Sequence, residues 1–175
     1  VLGFLVQLVF DAIALGGQVI GMSMGLGFAV FLDRARGVSV PVLGQLFLML
    51  AMLVFLALDG HLTMIQLLAQ SFRAWPISEG GLTIPILSEL LTWTSQLFVF
   101  AVKIALPAIT ALLIVNLSFG VMSRAAPTLN LFAVGFPVAM LLGFVAIFLN
   151  MGNLVENVSS FLALSISKVS QLLEF

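Results

Sequence analysis

Thiol chemistry is absent from this sequence, which has no cysteine among its 175 residues. The chain therefore forms no disulfide, no iron–sulfur cluster and no thiolate site, and its redox compartment is left open. Histidine is nearly absent as well, with one residue, and the carboxylates lack the spacing of a metal-ligand set. We expect neither a metal nor any other cofactor.

Charged residues are also scarce. They make up 7% of the chain and sum to a net charge of -1, whereas a soluble domain usually carries about a quarter charged residues. That balance indicates no strongly charged partner and excludes nucleic-acid binding. Hydrophobic residues account for 62% and mean hydropathy is +1.30, a composition typical of integral membrane proteins. The length indicates one domain.

Long apolar runs dominate what the sequence does contain. Four runs and an amphipathic tail occupy residues 1–32, 41–72, 93–120, 129–151 and 154–175. We therefore predict an all-α, integral membrane-type protein with long helices. As one helix the second run would span about 48 Å against a bilayer core of about 30 Å, so it tilts, bends or leaves the bilayer. Because the chain starts within the first run, without an initiator methionine or a basic segment, we expect residues upstream to be missing.

Prolines mark the connections and bends of these helices. The stretch PISEGGLTIP, residues 76–85, is predicted to be a loop, since Pro76 disfavours helix at the residue before it. Pro107 and Pro137 each fall within an apolar run, where the missing amide and the clashing ring should kink the helix. The short connection SRAAPTLN keeps these two helices antiparallel and adjacent. The sequence therefore predicts a kinked C-terminal hairpin.

The stretch GMSMG, residues 21–25, contains the Gly-x-Ser-x-Gly pattern of a serine-hydrolase nucleophile. A nucleophile elbow needs a preceding strand, and here one long apolar helix is predicted over 1–32. The base would have to be His61, which belongs to the next helix and has no well-placed orienting carboxylate. An intramembrane serine hydrolase that uses Ser23 is therefore the weaker interpretation.

Glycine spacing explains more of the same stretch. Gly17, Gly21 and Gly25 are four residues apart and lie along one helical face. In apolar surroundings this spacing lets another backbone approach closely, so we predict a helix-packing face. Each glycine also weakens a helix by up to about 1 kcal/mol relative to alanine, and the helix should unwind toward its end.

Four ionisable residues fall in or beside apolar runs: Asp11, Asp59, His61 and Lys103. An ionisable group at membrane depth is by default a candidate functional residue. A proton-coupled secondary transporter that uses the first three is one hypothesis. Structural roles at helix ends, which long side chains reach by snorkelling, are favoured, because the four are isolated in type and spacing.

Three longer stretches carry a resemblance to a known family. GQVIGMSMGLGFAVFLDRARGVSVPVLGQ, FLALDGHLTMI and GVMSRAAPTLNLFAVGFP, with their spacing, resemble the FliR family of flagellar export-gate proteins. The resemblance covers nearly the whole chain and leaves out the family's N-terminal helices. It implies one helical export-gate domain over 1–175. Residues 1–92 would be a FliP-like portion with a plug loop, and 93–175 a FliQ-like hairpin with a C-terminal helix.

By that resemblance the chain is a non-enzymatic core subunit of a helical multi-subunit channel, which it lines and plugs during export of unfolded flagellar proteins. The implied partners are FliP-like and FliQ-like subunits, an FlhB-like export switch protein, the unfolded cargo and membrane lipid. The implied location is the bacterial inner membrane in the flagellar basal body, with part of the assembly above the bilayer. The equivalent subunit of a virulence type III secretion system is an alternative, and NLFAVGFPV resembles the flagellar branch more.

The family's pore plug matches residues 24–40 of this chain. Its glycines would let the helix end unwind into a loop, and its methionine and phenylalanines would supply soft apolar contacts toward the pore axis. Where family members commonly have Asp-Pro, this chain has Asp-Arg, so the local turn differs and the plug is more basic. The plug residues implied by the resemblance are Met24, Gly25, Gly27, Phe28, Phe31, Asp33, Arg34, Arg36, Gly37 and Pro41.

Overall fold

The computed structural model describes residues 2–27, 41–74, 84–125 and 131–173, and within them it contains six helices and no strand. The helices are α1 Leu2–Ser23, α2 Val42–Ala57, α3 Gly60–Ala74, α4 Ile84–Ala125, α5 Leu131–Leu149 and α6 Met151–Leu173. The predicted all-α fold is thus confirmed. By length and composition α1 and α4 could each cross a membrane, and the bent pairs α2–α3 and α5–α6 could each count as one further span.

Helix α1 lies at the centre of the fold and packs against α4, α2 and α6. Its buried residues recur every three or four positions and form one broad stripe along the helix, wide enough to meet more than one neighbour. Across α4 and α6 the rings of Phe100 and Phe161 stack with centroids 3.7 Å apart. Across α1 and α2 the rings of Phe10 and Phe55 meet edge to face at 5.6 Å. These aromatic contacts tie the central helix bundle together.

A sharp corner joins α2 and α3, which are bent by 69°. Asp59 takes the left-handed conformation there, with φ of 53°, and its carbonyl accepts the amides of Leu62 and Thr63 to begin α3. A Cβ on Gly60 would overlap the ring of Phe55, so glycine fits closely at this position. The overlong second apolar run therefore bends, which is one of the outcomes that its length predicts.

A second corner, of 59°, joins α5 and α6 at Asn150. The Asn150 side-chain amide donates to the carbonyl of Ala146 at 2.9 Å, and its own carbonyl accepts the amide of Leu154 at 3.0 Å. The Asn150 side chain thus donates to a backbone carbonyl in the last turn of α5, and the Asn150 backbone carbonyl accepts the first hydrogen bond of α6.

Several helix limits differ from the sequence prediction. Helix α1 ends at Ser23 instead of continuing to 32. Helix α4 begins at Ile84, inside the stretch predicted to be a loop, because Pro85 occupies the first helical turn, where a missing amide costs nothing. Both α4 and α5 continue as helices through their prolines, Pro107 and Pro137. A kink at either proline stays a prediction.

Candidate functional site

The end of α1 is closed by a glycine cap, at the stretch GMSMG. Gly25 has φ of 82°, and its amide donates to the carbonyl of Met22 at 3.0 Å. The amide of Leu26 reaches back to the carbonyl of Gly21, also at 3.0 Å. This pair of bonds with a left-handed glycine is the Schellman motif, which satisfies carbonyls that a helix end leaves free. The second glycine of Gly-x-Ser-x-Gly is thus a helix terminator.

Ser23 is the last residue of α1, and its hydroxyl donates to the carbonyl of Val19 one turn earlier, at 3.0 Å. A serine that bonds its own helix in this way is common in apolar helices. A nucleophile elbow needs a strand before the serine, and here a helix of 22 residues precedes it. The geometry gives the hydrolase interpretation no support.

Met24, assigned to the plug by resemblance, is held inside the fold. Its side chain is 1% exposed and fills a notch in α5 at Gly143, where a Cβ would lie 2.6 Å from the Met24 Cγ. A Cβ on Gly25 would lie 2.9 Å from the ring of Phe136, also on α5. We call these four residues the α5 anchor. It fixes the point at which the chain leaves α1.

The chain re-enters the described structure at Pro41, the residue that precedes α2. Immediately after it, α2 crosses α1 at backbone contact distance: a Cβ on Gly17 would lie 2.7 Å from the carbonyl oxygen of Leu43 and 3.1 Å from the Cα of Gly44. A Cβ on Gly44 would in turn lie 3.0 Å from the carbonyl oxygen of Ala14. We call this contact the glycine crossing.

The remaining predicted site residues are divided between described and undescribed parts of the chain. Gly21 lies against the side chain of Leu43, on the same side of α1 as Gly17. Gly27 is half-buried and near the Met22 side chain. Six predicted plug residues fall outside the described residues: Phe28, Phe31, Asp33, Arg34, Arg36 and Gly37.

The four ionisable residues singled out in the sequence lie on four different elements or corners, and every one is exposed. Lys103 lies over the ring of Phe100, with Nζ 5.7 Å from its centroid. Among the described residues no side chain of the four forms a hydrogen bond or ion pair with another, and no group of three His, Asp or Glu residues could hold a metal. The described structure does not gather them into a relay.

Asp59 offers a direct test of the transporter hypothesis. Its left-handed conformation is tolerated by Asp and Asn but opposed by β-branched residues. We expect Asp59→Asn, which removes the charge, to preserve protein level and function, and Asp59→Val to lower the free energy of unfolding by about 1–2 kcal/mol. Full loss of function in a stable, assembled Asp59→Asn protein would instead support a proton-carrying carboxylate.

Sequence reasoning missed the α5 side of the anchor and an ion pair. Gly143 is one of two glycines in α5, with Gly135. A Cβ at Gly135 would meet only ordinary contacts at 3.9 Å, so the sequence does not tell which of the two is closely packed or against what. Glu89 at the start of α4 pairs with Lys168 near the end of α6. With Trp93 and other polar residues of α4 they line a pocket of about 230 Å³. Pairing across such a sequence distance has no local signal.

Comparison of the sequence with known proteins matches one family model and several relatives. The family model described as "Bacterial export proteins, family 1" matches residues 1–164. The flagellar biosynthetic protein FliR of Escherichia coli (strain K12) is 41% identical over 142 residues, which cover 81% of this chain and 54% of the relative. The FliR protein of Pectobacterium carotovorum subsp. carotovorum is 42% identical over the same shares.

A more distant relative is the surface presentation of antigens protein SpaR of Salmonella typhimurium. It is 30% identical over 123 residues, covering 70% of this chain and 46% of the relative. The chain spans about half the length of the curated relatives it matches. On the family match and these identities, the chain belongs to the FliR family of bacterial export proteins.

Proposed function

We propose that this chain forms part of a non-enzymatic subunit of the flagellar type III export apparatus. In this proposal the subunit sits in the bacterial inner membrane at the flagellar basal body and assembles with FliP-like, FliQ-like and FlhB-like proteins. It lines and plugs a channel through which unfolded flagellar proteins leave the cell. Support comes from the family match and from relatives named for flagellar biosynthesis.

The flagellar branch is favoured over a virulence type III system. Two FliR relatives match this chain at 41% and 42% identity over 81% of its length. The SpaR relative matches at 30% over 70%, a value that lies among the 24–32% of more distant FliR relatives, so the preference rests on the two nearer FliR matches and on the resemblance of NLFAVGFPV to the flagellar branch. The equivalent subunit of a virulence system therefore stays the second candidate. Complementation of motility in a flagellated host that lacks its own FliR distinguishes the two.

One observation supports a plug between α1 and α2. The chain leaves α1 at the α5 anchor and re-enters at the glycine crossing, so both ends of the intervening segment are attached to packed helices. A segment fastened at both ends can close a pore and yield to cargo without separating from its subunit. The polar and basic residues within it, Asp33, Arg34 and Arg36, are assigned to this plug by the family resemblance alone.

The test is ion conductance across membranes that contain the assembled complex. Deletion of Phe31 to Gly37 is expected to open a leak, because it removes Phe31 and shortens the segment proposed to occlude the pore while both attachment points remain. The matched control is a deletion of residues 77–81 in another predicted connection, which should leave the membrane tight. Co-purification with the partner subunits must be equal in all three proteins. A deletion complex that assembles and conducts no more than the parent contradicts the plug.

A further inference from the structure

A small cavity lies where five helices of the fold meet. Its volume is about 20 Å³, and a site for one water molecule needs about 10–15 Å³. Helices α1, α2, α4, α5 and α6 all contribute to its wall. Most of that wall is apolar, but three asparagines also face the cavity: Asn150, Asn153 and Asn157. Polar side chains around so small a space favour a bound water over an empty void.

The three asparagines differ in their hydrogen bonds. Asn150 Nδ2 donates to the carbonyl of Ala146 at 2.9 Å, and Asn150 Oδ1 accepts Nδ2 of Asn153 at 3.3 Å. Asn157, one turn further along α6, is half-buried, and its side-chain amide forms no hydrogen bond within the described parts of the chain. Amides at such depth normally bond to protein or to ordered water. Asn157 therefore has a donor and an acceptor available to a molecule in the cavity.

Helix α4 brings a second polar group to the same place. Pro107 lines the cavity and has no amide hydrogen, so the carbonyl of Lys103 lacks the helical hydrogen bond that residue 107 would normally donate. Ile104, whose amide belongs to the same peptide unit as that carbonyl, also lines the cavity. In apolar surroundings ordered waters satisfy backbone groups that a proline frees. The acceptor and the cavity are thus on the same turn of α4.

We propose that this cavity binds one ordered water molecule, which bridges the side-chain amide of Asn157 on α6 and the backbone carbonyl of Lys103 on α4. The water donates to the carbonyl whose helical donor Pro107 removes, and it accepts from Asn157 Nδ2. A buried water makes about three hydrogen bonds, and the Asn153 side chain supplies the third partner. This inference goes beyond the proposed function and does not depend on it.

Other occupants fit the cavity less well. An apolar molecule would leave the amide of Asn157 without a partner. A volume of about 20 Å³ holds one water and no larger solute. A divalent cation prefers carboxylate ligands, and none of the described residues that line the cavity is Asp or Glu.

The water would make a joint between α4 and α6. Close packing transmits a shift of one helix directly to the next, whereas a bridging water keeps its hydrogen bonds while it moves with either partner. The joint lies at Pro107, where α4 has lost one of its own hydrogen bonds. A change in the bend of α4 at this proline is therefore tolerated without opening a dry void among the five helices.

The first experiment detects the water by hydroxyl-radical labelling in the assembled complex. An X-ray pulse generates the radicals from water in place, so a buried side chain beside a bound water is oxidised faster than one without. Leu154 lines the cavity and is 7% exposed. Leu67 on α3 is 6% exposed and belongs to a separate apolar cluster, which makes it the matched reference. Mass spectrometry measures both rates in the parent and in Asn157→Leu, which removes the hydrogen-bonding groups at similar volume.

In the parent, Leu154 is expected to be oxidised about threefold or more faster than Leu67, and Asn157→Leu should bring the two rates to within about 1.5-fold. Equal rates in the parent would show that the cavity is dry. A fast rate at Leu154 that survives Asn157→Leu would show that Asn157 does not hold the water. Either result overturns the proposal.

The second experiment tests the carbonyl end of the bridge in the full-length protein. Pro107→Ala gives the Lys103 carbonyl a backbone donor, so the water is no longer needed there. Asn157→Leu should raise the equilibrium constant for SDS-induced unfolding about fivefold or more in the parent and less than about twofold in Pro107→Ala. Asn116→Leu, at an exposed amide of α4 outside the cavity, is the control and should act alike in both backgrounds. An equal effect of Asn157→Leu in both backgrounds would overturn the bridge.

Discussion

Replacing Gly17 by leucine is expected to separate α2 from α1 and to prevent stable folding of the subunit. The Cβ alone would lie 2.7 Å from the Leu43 carbonyl oxygen and 3.0 Å from the Phe47 ring, closer than non-bonded atoms approach. Because the nearest atom is backbone, no side-chain rotation relieves the overlap. We expect the free energy of unfolding to fall by about 3 kcal/mol or more, a large share of the stability of a domain.

The control for this substitution lies on the same helix. Gly3 is exposed, and a Cβ added there would have no other atom within 4 Å, so Gly3→Leu should change the free energy of unfolding by no more than about 0.5 kcal/mol. SDS-induced unfolding in mixed micelles measures both variants, and membrane abundance is the second readout. Equal stability of the two variants would show that the helices do not meet at Gly17.

The glycine spacing in the sequence located one side of this contact but not the other. Spacing by four places Gly17 and Gly21 on one face of α1, and both lie against α2 in the structure. Gly25 belongs to a different contact, since the helix ends at Ser23 and a left-handed turn carries Gly25 to Phe136. The partner residue Gly44 follows a proline in an unremarkable apolar run, and no local pattern relates it to Gly17.

The corners of the fold show why helix existence is easier to predict than helix direction. Apolar runs and length predicted that the run over 41–72 does not form one straight membrane span. The position of its bend depends on Asp59, which adopts a left-handed conformation that aspartate takes only occasionally, and on Gly60, which fits beneath the Phe55 ring. Tertiary packing decides such a corner, and the residue types merely permit it.

The family could be predicted from the sequence, whereas the packing around the candidate site could not, and the plug residues stay a prediction. Motifs around GMSMG carried the resemblance, and the family membership follows from matches over most of the chain. The same motifs suggested that Met24 faces a pore axis, whereas its side chain is buried against Gly143 in this fold. A buried methionine and an exposed one look alike in a sequence that is 62% hydrophobic.

A second large effect is expected at the α5 anchor. Gly143→Ala places a methyl group 2.6–2.8 Å from the Cγ, Sδ and Cε atoms of Met24, which is buried and has little space to move. The free energy of unfolding should fall by about 1–3 kcal/mol, although alanine is the better helix former. Met24→Ala should cost about 2–5 kcal/mol, because it empties the notch.

The effect of Gly143→Ala on the free energy of unfolding should reverse its sign when Met24 has already been replaced by alanine. With Met24 truncated, the methyl group of Gly143→Ala enters vacant space, so in that background it should be neutral or stabilise by up to about 1 kcal/mol. Gly120→Ala on α4, where nothing lies within 4 Å, is the control and should behave alike in both backgrounds. Additive effects at Met24 and Gly143 would mean that the two residues do not touch.

The same variants test whether the α5 anchor holds the proposed plug in place. If the plug is held by its attachment to α5, Gly143→Ala should raise ion conductance of the assembled complex, because displaced Met24 frees the end of α1 from its notch. In the Met24→Ala background the attachment is already lost, so adding Gly143→Ala should raise conductance no further. An equal rise in conductance in both backgrounds would mean that the leak does not depend on the contact between Met24 and Gly143. The leak would then come from a change in the packing of α5 itself.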